Sequence, residues 1–494
     1  MSEKQREGIL IKKPHCRLSE DQIRVIDGVS RDLLSDPGLV CYNAEAAEVF
    51  KSAGATVEGT GAHVLVRIPS EVIDRALESL PSRIVLGARN PDNRLILDAG
   101  EPRVRFGSGS ETNVWLEAEF ENGVPRFIRH DGSIERLCLA AHLCENLENL
   151  DFFIRCVNIR DKEVTTGNKD VNKFLASLNN ITKHVQAGLT SLDALDDVLR
   201  LGAMIAGGED AFAKNPLLSF ITCVIKSPLQ MVEDTTSKMM AIAKRKVPVV
   251  ISSSPMGGAT APFDEFGMVA QINAEILAGV TLNQLVSPGA PVLYGSVPVR
   301  TRLDSLNDMY GAPEFNHYNL DCTQMARHYG IPCYSTAGVG DNDVPGIQAT
   351  AEKLLTLLGV PQGGAQYVHY AFGLLERTNV FSPEQAVLDD AHIGMVKWNL
   401  RESPVAEKGR EAVLAMIREV MGTSHKTYMY HLPMPTRDPV YVRYPLEDAE
   451  GGALLAARKR VLQIFEQPRN PLPESLRKSI QDQIPGVLPQ TLAS

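Results

Sequence analysis

The chain lacks most of the patterns that announce a cofactor or a compartment. Among its 494 residues there is no G-x-G-x-x-G and no Walker-type glycine loop, which removes the usual cradle for a dinucleotide or a nucleoside triphosphate. The eight cysteines (Cys16, Cys41, Cys138, Cys144, Cys156, Cys223, Cys322 and Cys333) never form a C-x-x-C pair. Several lie inside apolar stretches, where cysteine behaves as a small hydrophobe. Reduced structural thiols are expected, with no metal site and no disulfide frame. No run of about 18 apolar residues exists. The longest candidate, 270–286, is broken by Gln271, Asn273, Glu275 and Asn283 and reads as a buried helix. Cations are in the minority: 50 Lys and Arg against 60 Asp and Glu leave a formal charge of −10, which argues against a broad nucleic-acid surface. Residues 1–13 mix charges with a short apolar patch at 9–11 and offer no secretory core. A cytoplasmic protein without membrane or nucleic-acid partner is expected.

What is present is a beat. From about residue 103 a short β-rich run is followed by a longer amphipathic segment, and the pair repeats. Strands are expected at 103–107, 152–159, 184–188, 218–225, 248–252, 291–295, 332–335 and 366–371. Helices fit between them at 133–145, 171–179, 191–206, 232–244, 266–280, 315–329, 346–358 and 383–399. Strands alternating with helices imply parallel pairing, and eight units imply an α/β fold of the (β/α)8 TIM-barrel type. The alternative is an open doubly wound sheet, which would normally carry a glycine-rich phosphate loop after an early strand. Residues 1–102 read as an α+β extension, with helices at 20–34 and 44–53, a strand at 63–68, a helix capped by Ser70, and a β pair at 83–86 and 94–97. The barrel would span 103–405. Residues 406–494 read as a helical extension around an extended Tyr/Pro/Arg stretch at 428–444, packing on the barrel or on a second subunit of a homo-oligomer.

In such a barrel the site lies where strands end and loops begin. The expected strand ends are rich in Gly, Ser, Gln and aromatics and poor in Lys, Asp and Glu. Schiff-base, paired-carboxylate and metal chemistry each need what is scarce here. A neutral, ring-lined cleft suits a bulky cation held by cation–π attraction. The available rings are Tyr294, Tyr334, Tyr370, Phe372, Phe106 and Trp115, and each has core packing as its plainer explanation. Strand parity allows either His369 or Tyr370, but not both, to face the axis of a regular strand.

The run SSSPMGGAT at 252–260 with Ala261 and Pro262 resembles the segment after the fifth strand of the trimethylamine methyltransferase superfamily. ARHYGIPCYSTAGVGDNDVPGIQATAEK at 326–353 resembles that family's sixth helix, seventh strand and following loop, and Tyr294-Gly295-Ser296 resembles its sixth-strand end. The likeness covers about residues 20–470. The founding members carry pyrrolysine at the end of the seventh strand, whereas residues 334–343 are all ordinary here. The resemblance therefore implies the non-pyrrolysine branch, whose members demethylate glycine betaine or related quaternary amines. It implies transfer of a methyl group to Co(I) of a separate corrinoid protein and release of dimethylglycine. The chain itself would hold no tight cofactor. A neutral tertiary amine leaves without a proton, so no acid/base pair is required.

On that reading the substrate-binding candidates are Tyr294, Tyr334, His369, Tyr370, Phe372, Gln186 and Arg300, with cleft-loop positions Ser254, Met256, Gly258, Ser296 and Gly338. His369, backed by Arg300 and Gln186, is the expected partner of the betaine carboxylate. Two other readings stay open. One is a barrel lyase or hydrolase acting on a small polar substrate through Glu111, Asp341, Asp343 or His369. The other is a non-catalytic barrel.

Overall fold

A computed structural model describes residues 5–402, 409–427 and 452–492. Its centre is a curled, mostly parallel sheet. The parallel strands are β1 (Arg103–Phe106), β2 (Phe152–Ile154), β3 (His184–Gly188), β4 (Leu218–Thr222), β5 (Val249–Ser253), β6 (Val292–Ser296), β7 (Cys333–Thr336) and β8 (Tyr367–His369). Each pairs with its sequence neighbour from β2 through β8, β8 pairs with β1, and Ile9–Leu10 adds an antiparallel ninth strand beside β1. The two ends of the row, β1 and β2, touch through a parallel bridge between Gly107 and Phe152, and the Asp151 amide donates to the Phe106 carbonyl at 2.7 Å.

A helix follows each strand: α1 (Ile134–Glu145), α2 (Lys169–Asn180), α3 (Leu195–Ala206), α4 (Glu233–Lys244), α5 (Glu265–Val286), α6 (Pro313–His328), α7 (Ile347–Gly359) and α8 (Pro383–Leu400). Their starts are written locally. Ser133, Asp264 and Ser382 each accept a backbone N–H three residues on, satisfying donors that a helix N-terminus leaves free. Helix α5 is apolar on all sides because it is covered on all sides: β5 and β6 lie beneath it, and the helices Glu20–Ser35 and Ser70–Leu77 lie above. Among the described residues no helix is long and apolar enough to cross a membrane.

The alternation of strand and helix is therefore as the sequence implies, and most edges fall within a few residues of expectation. The long runs at 152–159 and 218–225 stop early as strands, at Ile154 and Thr222, because their last residues turn into the loops that line the site. Ser70 is the first residue of its helix and not its cap, since Pro69 precedes it without a capping bond. Between β1 and α1 stands an unanticipated hairpin, Val114–Glu121 with Val124–Asp131.

The first hundred residues do more than decorate. The antiparallel pair Arg83–Leu86 and Leu95–Asp98 packs Ile84, Leu86, Leu95 and Leu97 into one cluster with Phe152, Val250, Leu293, Tyr334 and Tyr367 of the parallel strands. This is the inner face of the sheet, and the pair closes its lower end. Burying each such side chain contributes about 1.5–3 kcal/mol. The described part of the C-terminal segment packs on the outer helices: Arg458 donates to Glu384 at 3.0 Å, and the Leu472 amide donates to Asn179 at 2.9 Å. The expected extended stretch at 428–444 lies outside the described residues.

Candidate functional site

The inner face carries a stack of rings rising toward the C-terminal ends of the strands. Phe152 and Tyr367 stack at 3.5 Å between centroids, Tyr367 and Tyr334 lie at 5.7 Å, and Tyr334 stacks on the His369 imidazole at 3.9 Å. Tyr370 meets His369 edge-on at 3.8 Å, and Tyr310 meets Tyr370 edge-on at 6.4 Å. Both His369 and Tyr370 join the stack. Parity does not forbid this, because β8 ends at His369 and Tyr370 takes φ +68°, a left-handed turn that swings its side chain back toward the pocket. Gly109 makes the room: a Cβ there would lie 2.4 Å from Cδ1 of Tyr370.

Hydrogen-bond logic sets the polarity of this pocket. Thr336 Oγ1 donates to the Ser296 carbonyl at 3.1 Å, so it accepts from His369 Nε2 at 2.7 Å. That leaves His369 Nδ1 as a bare lone pair, and this atom has no hydrogen-bond partner. Burial holds the imidazole well below its usual pKa, hence neutral. A second chain runs across β3 and β4. The Gly87 carbonyl can only accept, so His184 Nδ1 donates to it at 2.7 Å and His184 Nε2 accepts from Ser219 Oγ at 2.7 Å. Ser219 in turn accepts from Gln186 Nε2 at 3.0 Å, which leaves Gln186 Oε1 buried without a partner. The pocket thus offers rings and two acceptors.

Most carboxylates nearby are committed elsewhere, but Asp308, beside Tyr310 and Tyr370, keeps Oδ1 buried without a hydrogen-bond partner. Buried Glu275 accepts from Ser227 at 2.7 Å, from the Leu229 amide at 3.1 Å and from Ser253, and desolvation raises its pKa. Asp341 accepts the backbone amides of Tyr310 and Gly311 at 2.9 Å each, so it fixes the loop that presents Tyr310. Asp343 is exposed on that same loop system. At the end of β4, Cys223 is walled in by protein yet open to the cleft, with its thiol 2.9 Å from Ser252 Oγ; burial pushes its pKa up. Among the described residues no three His, Cys, Asp or Glu groups converge in a metal-binding cluster. At the ends of β1 and β2, Glu111 contacts the buried guanidinium of Arg155.

Of the expected substrate-binding residues, Tyr334, His369, Tyr370 and Gln186 share the inner face. Tyr294 faces the other way: its hydroxyl donates to Asn273 of α5 at 2.9 Å. Phe372 is buried in the main core, apart from the ring stack. Arg300 lies at the rim, with its guanidinium 3.4 Å from the Phe263 ring centroid and Nη1 donating to the Phe263 carbonyl at 3.2 Å. Met256 and Gly257 pair with Val299 and Arg300, joining the loop after β5 to the hairpin after β6. Gly258 (φ +94°) sits beside Phe263 and Leu303 on that rim. Ser254 is exposed and donates to the Val297 carbonyl, and buried Ser296 donates to the Tyr334 carbonyl at 3.4 Å. Gly338 (φ +87°) lies against Ala371, too close for a Cβ. Tyr310 was not foreseen, since it sits in an irregular loop without periodicity. Arg155 was read as part of a strand, although an arginine within an apolar run was a signal.

The family is shown by the sequence as a whole. The family model described as trimethylamine methyltransferase matches residues 4–431. A trimethylamine methyltransferase of Methanosarcina mazei is 31% identical over 395 residues, 78% of this chain and 77% of its own length. One from Desulfitobacterium hafniense is 30% identical over 382 residues, 77% and 74% of the two chains. The glycine betaine methyltransferase of Desulfitobacterium hafniense is 28% identical over 399 residues, 79% of each. With the match running through every strand and loop that builds the pocket, the chain belongs to the trimethylamine methyltransferase family.

Proposed function

We propose that the chain takes a methyl group from a quaternary amine, with glycine betaine the best fit, and that its eight strand–helix units close a (β/α)8 barrel around the pocket. The carrying observation is an inner face that sets a stack of rings beside two bare acceptors, Gln186 Oε1 and His369 Nδ1. A quaternary ammonium spreads its charge over its methyl groups and has no N–H. Rings attract it by about 0.5–2 kcal/mol per contact, and lone pairs attract its polarised C–H groups more weakly. The ordinary residues at 334–343 and the betaine-named relative favour this branch. The Gly107–Phe152 bridge favours closure.

The proposed methyl acceptor is a corrinoid carried by a separate protein, whose cobalt(I) supplies the nucleophile. The chain's own tasks are to hold the cation, aim one N-methyl toward the mouth and exclude water. The departing tertiary amine is neutral and needs no proton. At the loops after β5, β6 and β7, Phe263, Leu303, Leu306 and Ile347 are 52%, 59%, 65% and 91% exposed. Apolar side chains gathered on the mouth side suit the docking of a protein partner.

The same acceptors favour a second reading, because the N–H of a trimethylammonium ion would find a partner in His369 Nδ1. Equal concentrations of glycine betaine, dimethylglycine and trimethylamine, mixed with the protein and a reduced corrinoid and followed by absorbance, separate the two. Betaine is expected to react faster than either tertiary amine, because it expels a neutral amine whereas an unprotonated tertiary amine would have to expel an amide anion. Comparable rates with trimethylamine would overturn the betaine reading.

A further inference from the structure

We propose that Arg155 anchors the carboxylate of a zwitterionic ligand and that Glu111 is its resident placeholder, displaced when that carboxylate arrives. The proposal deepens the reading above, on which it rests for the cationic half of the ligand.

Arg155 follows β2 and is 1% exposed. Its Nη2 meets Glu111, its Nη1 lies 3.5 Å from Asn158 Oδ1, and its Nε has no hydrogen-bond partner. A guanidinium carries five donors in a planar fork matched to a carboxylate, so this buried one is under-served. Glu111, by contrast, keeps 45% of its side chain exposed. It passes over Gly188 at the end of β3, with Oε1 3.7 Å from where a Cβ would stand. Two residues before it, Gly109 lies against Tyr370 of the ring stack.

The remaining charges make this corner selective for anions. Asp170 is saturated by Lys173 and by the amides of Thr190 and Ser191 at 2.9 and 2.8 Å. With Glu111 withdrawn, Arg155, Lys173 and Lys169 face Asp170 alone. Burial is the leading cause that lowers Arg155 to about 9 and Lys173 to about 7. Exchanging one carboxylate for another never leaves Arg155 unpaired, the step that makes opening a buried ion pair costly. The anchor also resolves a conflict within the pocket: His369 and Gln186 present lone pairs, which repel a carboxylate, and Arg300 is stacked on Phe263 at the rim.

The test is titration calorimetry on wild type, Glu111→Gln and Arg155→Gln. The three probes are glycine betaine, choline, and 3,3-dimethylbutanoate, which keeps the carboxylate and replaces the charged nitrogen by carbon. Glu111→Gln is expected to tighten both carboxylates about 5-fold, and Arg155→Gln to weaken both roughly 30-fold or more, with choline within about 2-fold throughout. Equal effects on choline and betaine, or unchanged carboxylate affinity in Glu111→Gln, would overturn the anchor. Should Arg155→Gln fail to fold, Glu111→Gln decides alone. If wild type binds the butanoate and Glu111→Gln tightens it while neither cation binds, the anchor stands and the quaternary-amine reading falls. If choline binds and neither carboxylate does, the anchor falls and the cation reading stands. Binding of none overturns both.

Discussion

At Tyr370 the backbone rotates to φ +68°, and through that rotation two consecutive residues of one strand end line the same pocket. A left-handed tyrosine costs about 1–2 kcal/mol, which the surrounding contacts must offset. Gly109 provides the space for one of them, the Tyr370 ring. Gly109→Ala would put a methyl group inside the van der Waals radius of that ring. The backbone of β1 is tied to β8 on both sides of this point, through Gly107 N to Val368 O and Ala371 N to Gly107 O, each at 3.0 Å, so the ring must give way. The expected outcome is a stable fold with ligand affinity weakened roughly 10-fold or more, the loss of one or two ring contacts. Calorimetry beside a thermal melt checks it; unchanged affinity would remove Tyr370 from the site.

The loops after β7 and β8 are tied to two helices. Lys353 of α7 is fully buried and reaches the Gly338 carbonyl, the Leu374 carbonyl at 3.1 Å and Asp389 of α8 at 3.1 Å; Asp389 accepts the Gly373 amide at 2.7 Å. One ion pair thus fastens both strand-end loops. Lys353→Met would take from buried Asp389 its lysine partner, a loss that costs about 3–5 kcal/mol. Denaturant unfolding should show that loss, and the double change Lys353→Met with Asp389→Leu should recover much of it. A single variant as stable as wild type would mean that the pair does not hold the loops. The hairpin at 114–131 shows what was legible and overlooked at this scale. Asn122-Gly123 (φ +52° and +81°) is flanked by paired eight-residue strands, a combination that marks a two-residue turn of type I′.

Burial presses His142, His184 and His369 below the usual imidazole pKa, and the acid stability of the whole molecule should show this. His184 is fully buried, and desolvation lowers its pKa to about 4, against about 6.5 in an unfolded chain. Between those values the unfolded state binds a proton that the folded state refuses. The contribution is therefore full above about pH 6.5 and is lost as the pH falls toward 4, by up to ~1.4 kcal/mol per pH unit. Whatever the offset between wild type and His184→Gln at pH 7, the gap between their unfolding free energies should narrow by roughly 3 kcal/mol by pH 4. A gap that stays constant would show that His184 is charged in the folded state.

The order of the elements was legible because strand and helix periodicities are properties of neighbouring residues. The eightfold beat, the buried helix α5 and the neutral composition of the strand ends all follow from local pattern. So does the family, through SSSPMGGAT and the 326–353 run. Which side chains face the pocket was not legible, because a one-residue change in strand phase exchanges the two faces. Tyr294 and Phe372 were read into the pocket by their place at strand ends, yet the pleat sends Tyr294 to Asn273 and Phe372 to the main core. Tyr370 enters only by breaking the strand. The roles of His369 and Gln186 were hidden further still. Whether an imidazole or an amide donates or accepts depends on partners 33 residues away in sequence, Thr336 and Ser219. Their bare lone pairs, like the meeting of Glu111 with Arg155 44 residues on, exist only once the chain has folded, because hydrogen-bond direction is set by three-dimensional neighbours and not by sequence ones.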